Sequence, residues 1–367
     1  MNRRNFIKTT SITGAGIIAT SGINACVGTY KPKIINAIWN EKFVFDVPDK
    51  ANRLRQLIRC GVMAPSGHNT QPWLFKLSEN TIEIIPDLSR RLPIADSENR
   101  ELYISLGAVL ENIIISAANF GYNVDYEIEK NDKGKITIHL NDKINWNPNI
   151  LFESMIARTT TRNEYAKKSL PKDFQMNLQK NIIADTPFYF TSDRNKYDTF
   201  IDYVKEGNRL LFGKKKFLDE LKSWIRWNDD EAEEKLDGLY IRALGQPSTV
   251  AWLGKMLFNI SVTTATQNDD DQDFINSASG LLFLFSEDGI KHWIEAGRKL
   301  ERILIALAKY DLKYAFHNQP CQTVQLRKSF AKSFAHKGLM PQAAIRIGYS
   351  EPMPRSPRRK INDMILP

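Results

Sequence analysis

The chain has 367 residues, 42% hydrophobic and 25% charged, with 51 Lys and Arg against 42 Asp and Glu for a net charge of +9. That composition suits a chain able to bury a sizeable core. Three scattered cysteines (Cys26, Cys60, Cys321) exclude a disulfide framework or a cysteine zinc site, and no nucleic-acid motif accompanies the basic excess, which reads as anion binding plus a targeting signal.

Residues 1–30 read as an export signal. Arg3, Arg4 and Lys8 precede a short, mildly apolar run of small residues at 11–25, too short to span a bilayer comfortably. The adjacent arginines followed by Phe6 make it the twin-arginine type. Ile23-Asn24-Ala25-Cys26 also resembles a lipobox. Two outcomes stay open: acylation of Cys26 would anchor the chain to a membrane face, and simple cleavage nearby would leave it free in the periplasm.

After a linker at 27–45, residues 50–63 read as a helix with an apolar stripe of Leu54, Leu57, Ile58 and Val62. Thr81 to Pro86 reads as a strand, and Leu102 to Phe120 as a long apolar helix. Val124 to Glu129 and Ile136 to Leu140 form a hairpin across Asn131-Asp132-Lys133-Gly134. Phe188 to Thr191, Leu281 to Phe285 and Ala343 to Gly348 are further strands, and Lys291 to Lys309 is a second long helix. Residues 195–260 are mostly helical, with an acidic patch at Asp229 to Glu234, and Asn268 to Asp273 reads as a polar loop.

The two long helices match at a constant offset of 190. Ile104 pairs with Ile294, Gly107 with Gly297, Leu110 with Leu300, Glu111 with Glu301, Ile113 with Ile303, Ile115 with Ile305 and Ala118 with Ala308. This argues for duplication, with each helix buried between two halves and Gly permitting close approach. Glu111 and Asn112 near the middle weaken a membrane-span reading.

Ala64-Pro65-Ser66-Gly67-His68-Asn69-Thr70-Gln71-Pro72-Trp73 reads as a stiff turn from helix to strand. Pro65 ends the helix, Gly67 permits an unusual backbone angle and Pro72 enforces extension. Ser66, Asn69 and Gln71 then project hydrogen-bonding groups suited to a polar, planar ligand, though such a turn can equally be a well-capped loop. Arg158-Thr159-Thr160-Thr161-Arg162 suits a phosphate, because guanidinium forks and hydroxyls bond its oxygens, though such a segment can equally be a solvated basic turn. On a helix start, Arg158 and Arg162 would share a face with Thr160 nearby. Cys321 suits a small buried hydrophobe, and His68 and His317 read as loop histidines.

The Pro65–Trp73 stretch resembles the Pro-Ser-x-x-Asn-x-Gln-Pro-Trp signature of the nitroreductase family. Asp87, Arg90, Asp96, Arg100-Glu101, Arg158–Arg162, Trp293, Gly297, Arg302, Arg346-Ile347-Gly348-Tyr349 and Pro357-Arg358-Arg359 resemble its Acg-type branch. The resemblance implies an α+β, nitroreductase-like fold whose two fused half-units form a pseudo-dimer around one flavin site. The halves would be 31–150 and 151–367, with a lid at 205–275. FMN is the implied cofactor. Its phosphate would fall to Arg158, Thr160, Arg162 and Arg358 or Arg359, and the ring to Pro65, Ser66, Asn69 and Gln71, with Gln319 and Pro320 approaching it and Asn69 at the pyrimidine edge. Each half lacks the other's motif (Gly245-Gln246-Pro247-Ser248 is at best a remnant), so one chain should build one site.

The implied activity is an FMN-dependent oxidoreductase. It would pass electrons from a reduced donor (NAD(P)H, a quinol or a partner protein) through flavin N5 to a small organic acceptor such as a nitro compound or quinone. The alternative is a flavoprotein that sequesters FMN or buffers redox state with little turnover. No side chain need act as nucleophile, and no metal or nucleic acid is expected.

Overall fold

The computed structural model describes residues 37–45, 49–129, 133–142, 148–334 and 338–367. The basic start, the apolar run at 11–25, Cys26, and the hairpin residues Asn131 and Asp132 lie outside the described residues.

The Lys50–Gly61 helix begins where the Asp49 carboxylate accepts from the backbone N–H groups of Ala51 and Asn52, and it buries Leu54, Leu57 and Ile58. It leads into an antiparallel sheet in the order β1-β2-β4-β3, formed by β1 (Trp73–Leu77), β2 (Thr81–Pro86), β3 (Tyr122–Ile128) and β4 (Ile136–Asp142). Alternation in β3 and β4 puts Ile136, Ile138 and Leu140 inward and leaves polar residues such as His139 outward. A second antiparallel sheet has the order β5-β8-β10-β9: β5 (Phe188–Thr191), β8 (Gly280–Ser286), β9 (Lys313–Phe316) and β10 (Met340–Gly348). A short parallel pair, β6 (Ile225–Arg226) with β7 (Leu239–Tyr240), braces the segment between β5 and β8.

Between the sheets lie the two long helices, Arg100–Ala117 and Ile290–Lys309. A Cβ added to Gly107 would stand 1.9 Å from the Ile294 carbonyl oxygen, and one added to Gly297 would stand 2.0 Å from that of Ile104. The contact is reciprocal under the 190-residue offset, so the helices cross about a local pseudo-twofold with backbone against backbone. The 100–120 stretch is long and apolar enough to cross a membrane, yet 89% of its apolar window is buried, as in the core helix of a folded domain. Its Glu111, fully buried, is neutralised from the other helix: Arg298 Nε donates to Oε2 at 3.1 Å and Arg302 Nε to Oε1 at 2.6 Å. One hydrophobic cluster runs through both sheets and both helices, joining Ile58, Phe75, Leu110, Ile303 and Ile345.

The C-terminal arm returns across the molecule. Ile365 bridges Phe75 in parallel, and Leu366 N–H donates to the Phe75 carbonyl at 2.7 Å. Met364 is fully buried.

Three expectations are corrected. Asn268–Asp273 is no loop: it lies inside the Thr264–Ser277 helix, started by a Thr263/Thr266 capping box. Its buried Asp271 faces His317 and Asn208 and supplies the tertiary contact that its polar sequence hides. Arg158 to Arg162 form no helix start; they follow the Phe152–Ala157 helix as extended chain, with Thr160 bridging Tyr314. Alternation along that segment still puts Arg158, Thr160 and Arg162 on one side. At the turn, Gly67 keeps an ordinary φ, whereas His68, Asn69 and Gln71 take φ values of 47, 53 and 52°, so Pro72 does not hold Gln71 extended.

Candidate functional site

Two cavities meet where the halves join, one of about 80 Å³ and one of about 550 Å³. Pro65, Ser66, Arg162 and Phe316 line both, so they form one elongated space with a narrow end and a wide end.

Four arginines line the narrow end: Arg158, Arg162, Arg355 and Arg358. Thr160 and Asn69 stand beside them, and Trp39 closes one wall, its indole N–H donating to the Ser356 carbonyl at 3.2 Å. Arg158 Nε lies 3.0 Å from the fully buried Glu301 carboxylate, too bent for a hydrogen bond but close enough for an ion pair. Burial drives Arg158 down, but Glu301 and Tyr314 more than offset this and leave its pKa raised. The others have no such partner. Burial, with Arg158 nearby, lowers Arg355 to about 10. Burial, with Arg158 and Arg355, lowers Arg358 to about 9. Burial likewise lowers Arg162. Desolvated like charges held together are costly unless an anion joins them. The donor set therefore fits a phosphate-sized dianion.

Not every arginine is free to bind it. Arg358 spends its donors on the carbonyls of Val62, Ala64 and Pro357 at 2.7, 3.1 and 3.2 Å and on Asn69 Oδ1 at 2.8 Å. Arg158 is tied to Glu301, the Tyr314 hydroxyl and the Met63 carbonyl. Arg162 donates to the Ala243 carbonyl at 3.1 Å, and Arg355 to that of Ile156 at 2.6 Å. These two keep the larger share of unspent N–H groups.

The wide end is walled by both central helices (Ile104, Ala108, Leu300), by the end of β9 (Ala315, Phe316) and by Leu211, Phe217, Leu221 and Leu244 from the segment expected to be a lid. Its volume lies in the usual range for small-molecule pockets, and its mix of apolar walls and a few polar groups is typical of them. His68 lines it; burial and then Arg162 lower that imidazole to about 4, so it is neutral. Arg346 also lines it, 1% exposed, with Nη1 lacking a protein partner. Its Nε donates to His317 Nε2 at 3.1 Å. That bond requires a neutral imidazole, consistent with burial lowering the His317 pKa despite nearby Asp271. Cys321 is 1% exposed, and burial pushes its thiol up to about 12. Among the described residues no group of His, Cys, Asp and Glu could hold a metal.

Of the residues singled out from the sequence, Pro65, Ser66, Asn69, Arg158, Thr160, Arg162, Gln319 and Arg358 line this space. Gln71, Pro320 and Arg359 line neither cavity. Gln71 is fully buried, donating to the Leu236 carbonyl at 2.9 Å and accepting from Arg359 N–H at 2.8 Å. Arg359 turns to the Gln71 carbonyl, at 3.1 Å, and Pro320 packs inside the Gln319–Gln322 helix. Asn69 lines the narrow end; its amide donates to the carbonyls of Gly238 at 3.0 Å and Pro357 at 3.1 Å. These bonds offset the left-handed backbone and tie loop, lid and C-terminal arm together. Sequence reasoning did not single out Trp39, Arg355 or Phe316, and it marked Arg346 only as part of the family resemblance, without a place in the site. The basic stretch Arg355, Arg358, Arg359 and Lys360 carried a signal for Arg355.

The pseudo-twofold gives the mirror position a different lining. Subtracting or adding the offset of 190 maps Ala315, Phe316 and His317 onto Asp125, Tyr126 and Glu127, and Ser105 and Ala108 onto Glu295 and Arg298. The cavity there, about 480 Å³, is lined by Asp125, Tyr126, Glu127, Lys291 and Glu295, with no arginine among them. Arg298 stacks 4.7 Å from the Tyr126 ring centroid, and Tyr126 donates to Glu295 at 2.8 Å. Carboxylates at the mirror position oppose a phosphate where the arginines of the first space suit one.

No protein-family model matches the chain. It is similar to the Mycobacterium tuberculosis H37Rv protein named "Putative NAD(P)H nitroreductase acg", with 22% identity over 331 residues, covering 85% of this chain and 94% of that protein. It is 33% identical over 75 residues to "Putative NAD(P)H nitroreductase Rv3131" of the same organism, covering 20% of this chain and 22% of that one. Among solved structures, "a putative nitroreductase from Anabaena variabilis" overlaps 87% of this chain and 92% of its own, at 11% identity and a TM-score of 0.42. The chain is thus an α+β protein similar in sequence to proteins named as putative nitroreductases. Its particular likeness, over nearly the full length, is to the mycobacterial protein acg.

Proposed function

We propose that this chain is an FMN-dependent oxidoreductase of nitroreductase type, built from two fused halves, 31–150 and 151–367. The observation that carries the reading is the four-arginine pocket opening into a wide cleft walled by both central helices. A phosphate tail satisfies the former, and a planar ring fits the latter. When bound, FMN would supply two-electron redox chemistry between a reduced donor and an acceptor, and the protein supplies binding, orientation and electrostatics.

The residues divide that work. Arg162 and Arg355 hold the phosphate with their unspent donors, and Thr160 adds a hydroxyl. Arg158 and Arg358 mainly position Met63, Ala64 and Asn69, so the Pro65-Ser66 turn is rigid where tail and ring regions meet. Arg346, desolvated and with a spare N–H, supplies positive charge near the ring, where reduction adds negative charge. Leu211, Phe217, Leu221 and Leu244 exclude water.

The relatives' names support a reduced nicotinamide as donor and a small organic acceptor such as a nitro compound or quinone. The N-terminal sequence supports export by the twin-arginine route, with Cys26 either acylated or removed. A chain working outside the cytoplasm would draw on a quinol or partner protein instead. The apolar lid favours a second reading, a flavin store with little turnover. Rapid mixing of the FMN-loaded protein with NADH, NADPH or a quinol analogue separates the two. Reduction followed by reoxidation with a nitro compound or quinone marks an enzyme, and a flavin that resists every donor marks a store.

A further inference from the structure

Away from this site, the Ala251–Ser261 helix carries an apolar face that nothing in the chain's described residues covers. Its inner side is clamped: a Cβ on Gly254 would stand 2.4 Å from the Trp227 ring, and Phe258 packs edge-on against Trp227 at 5.9 Å. Its outer side presents Trp252, Met256 and Ile260 at 68, 43 and 69% exposure, spaced i, i+4, i+8, with Leu257 beside them at 47%. One side chain of this kind is ordinary on a surface; four on two turns of one helix mark an interaction face.

We propose that this helix docks the protein onto a lipid surface. The face is convex, a helix ridge with a tryptophan at one end and branched or thioether chains behind it, which suits insertion into the headgroup region. Lys255 lies on the same helix, and Lys222 reaches its polar side, with Nζ 3.0 Å from Asn259 Oδ1. Lys255 can keep its charge at the headgroups while its stem lies along apolar surface, whereas Lys222 is also paired with Asp219 at 3.1 Å. The position of Cys26 agrees. Residues 27–36 separate it from Ala37, the first described residue, and ten residues reach at most about 35 Å, so an anchor there would hold a bilayer close to the folded body. A single lipid chain binds only marginally, and a second apolar contact makes attachment stable. The proposal shares the anchor reading of Cys26 but is tested without it.

The full chain carrying Cys26→Ser is mixed with phosphatidylglycerol–phosphatidylethanolamine vesicles and sedimented, beside the same chain carrying Trp252→Asp and Ile260→Asp. The first should pellet with vesicles, and the second should partition at least about tenfold more weakly, from lost apolar insertion. Unaltered near-ultraviolet circular dichroism and FMN absorption would show the fold intact, and the Trp252→Ser, Ile260→Ser pair should repeat the loss. Failure of the Cys26→Ser chain to pellet, or equal pelleting by the substituted chains, overturns the proposal. So does a dimer in sedimentation velocity that Trp252→Asp converts to monomer, which would make a second copy the occupant.

Discussion

Replacing Arg355 with alanine removes a guanidinium that donates to the Ile156 carbonyl, lies 4.4 Å from the Trp39 ring centroid and lines the narrow cavity. A charge-assisted hydrogen bond to phosphate contributes about 1.5–3 kcal/mol, which corresponds to a loss of roughly 10- to 150-fold in FMN affinity. The flavin-free protein should not suffer comparably, because burial and Arg158 already disfavour the Arg355 cation, and its loss relieves Arg358. Titration of flavin-free protein with FMN and with riboflavin, which lacks the phosphate, reads the effect. FMN should weaken by that factor while riboflavin is unaffected. Equal weakening of both ligands, or unchanged FMN affinity, would refute the assignment of this pocket to the phosphate.

Other expectations follow from the same geometry. Gly107→Ala forces a methyl to within 1.9 Å of the Ile294 carbonyl oxygen, so the central helices must part; calorimetry should register a loss of about 1–3 kcal/mol or more. Asn69→Ala deletes bonds to Gly238, Pro357 and Arg358 and should lower both the melting temperature and FMN retention. Burial raises Glu301 to about 7, above its unfolded value, so the folded flavin-free protein binds the extra proton and its stability falls as pH rises from about 4.5 to 7. Glu301→Gln, which cannot titrate, should therefore gain on the parent chain across that window in melting temperature; a constant difference would contradict the raised value. Deleting residues 361–367 removes Met364 and the Ile365–Phe75 bridge, and should free the arm bearing Arg355 and Arg358 and release flavin.

Local pattern revealed several of the elements that bury one apolar face. Thr81–Pro86 and Phe188–Thr191 are strands as the sequence suggested, and the paired glycines of the long helices meet as their matching implied. The strand Trp73–Leu77 follows the turn as its reading implied, though its extent was not given, and Lys313–Phe316 was missed, being short and shadowed by the helix before it. Polarity misled at Asp271, because a buried carboxylate looks like a loop residue until His317 and Asn208 are placed beside it. Pro65, Ser66 and Asn69 of the 65–73 motif line the cavity, but the sequence did not show which amides face inward. Gln71 and Asn69 are spent on the carbonyls of Leu236, Gly238 and Pro357, partners 165 to 288 residues away that no local reading supplies.

The central claim is that the purified chain carries one FMN. Visible absorption of the protein, followed by release and quantification of the chromophore against protein concentration, tests it directly. The account predicts a yellow protein with one FMN per chain, since the cavity at the mirror position is lined by Asp125, Glu127 and Glu295 and by no arginine. A colourless protein that takes up no added FMN would contradict it, and two flavins per chain would contradict the reading of the acidic mirror position.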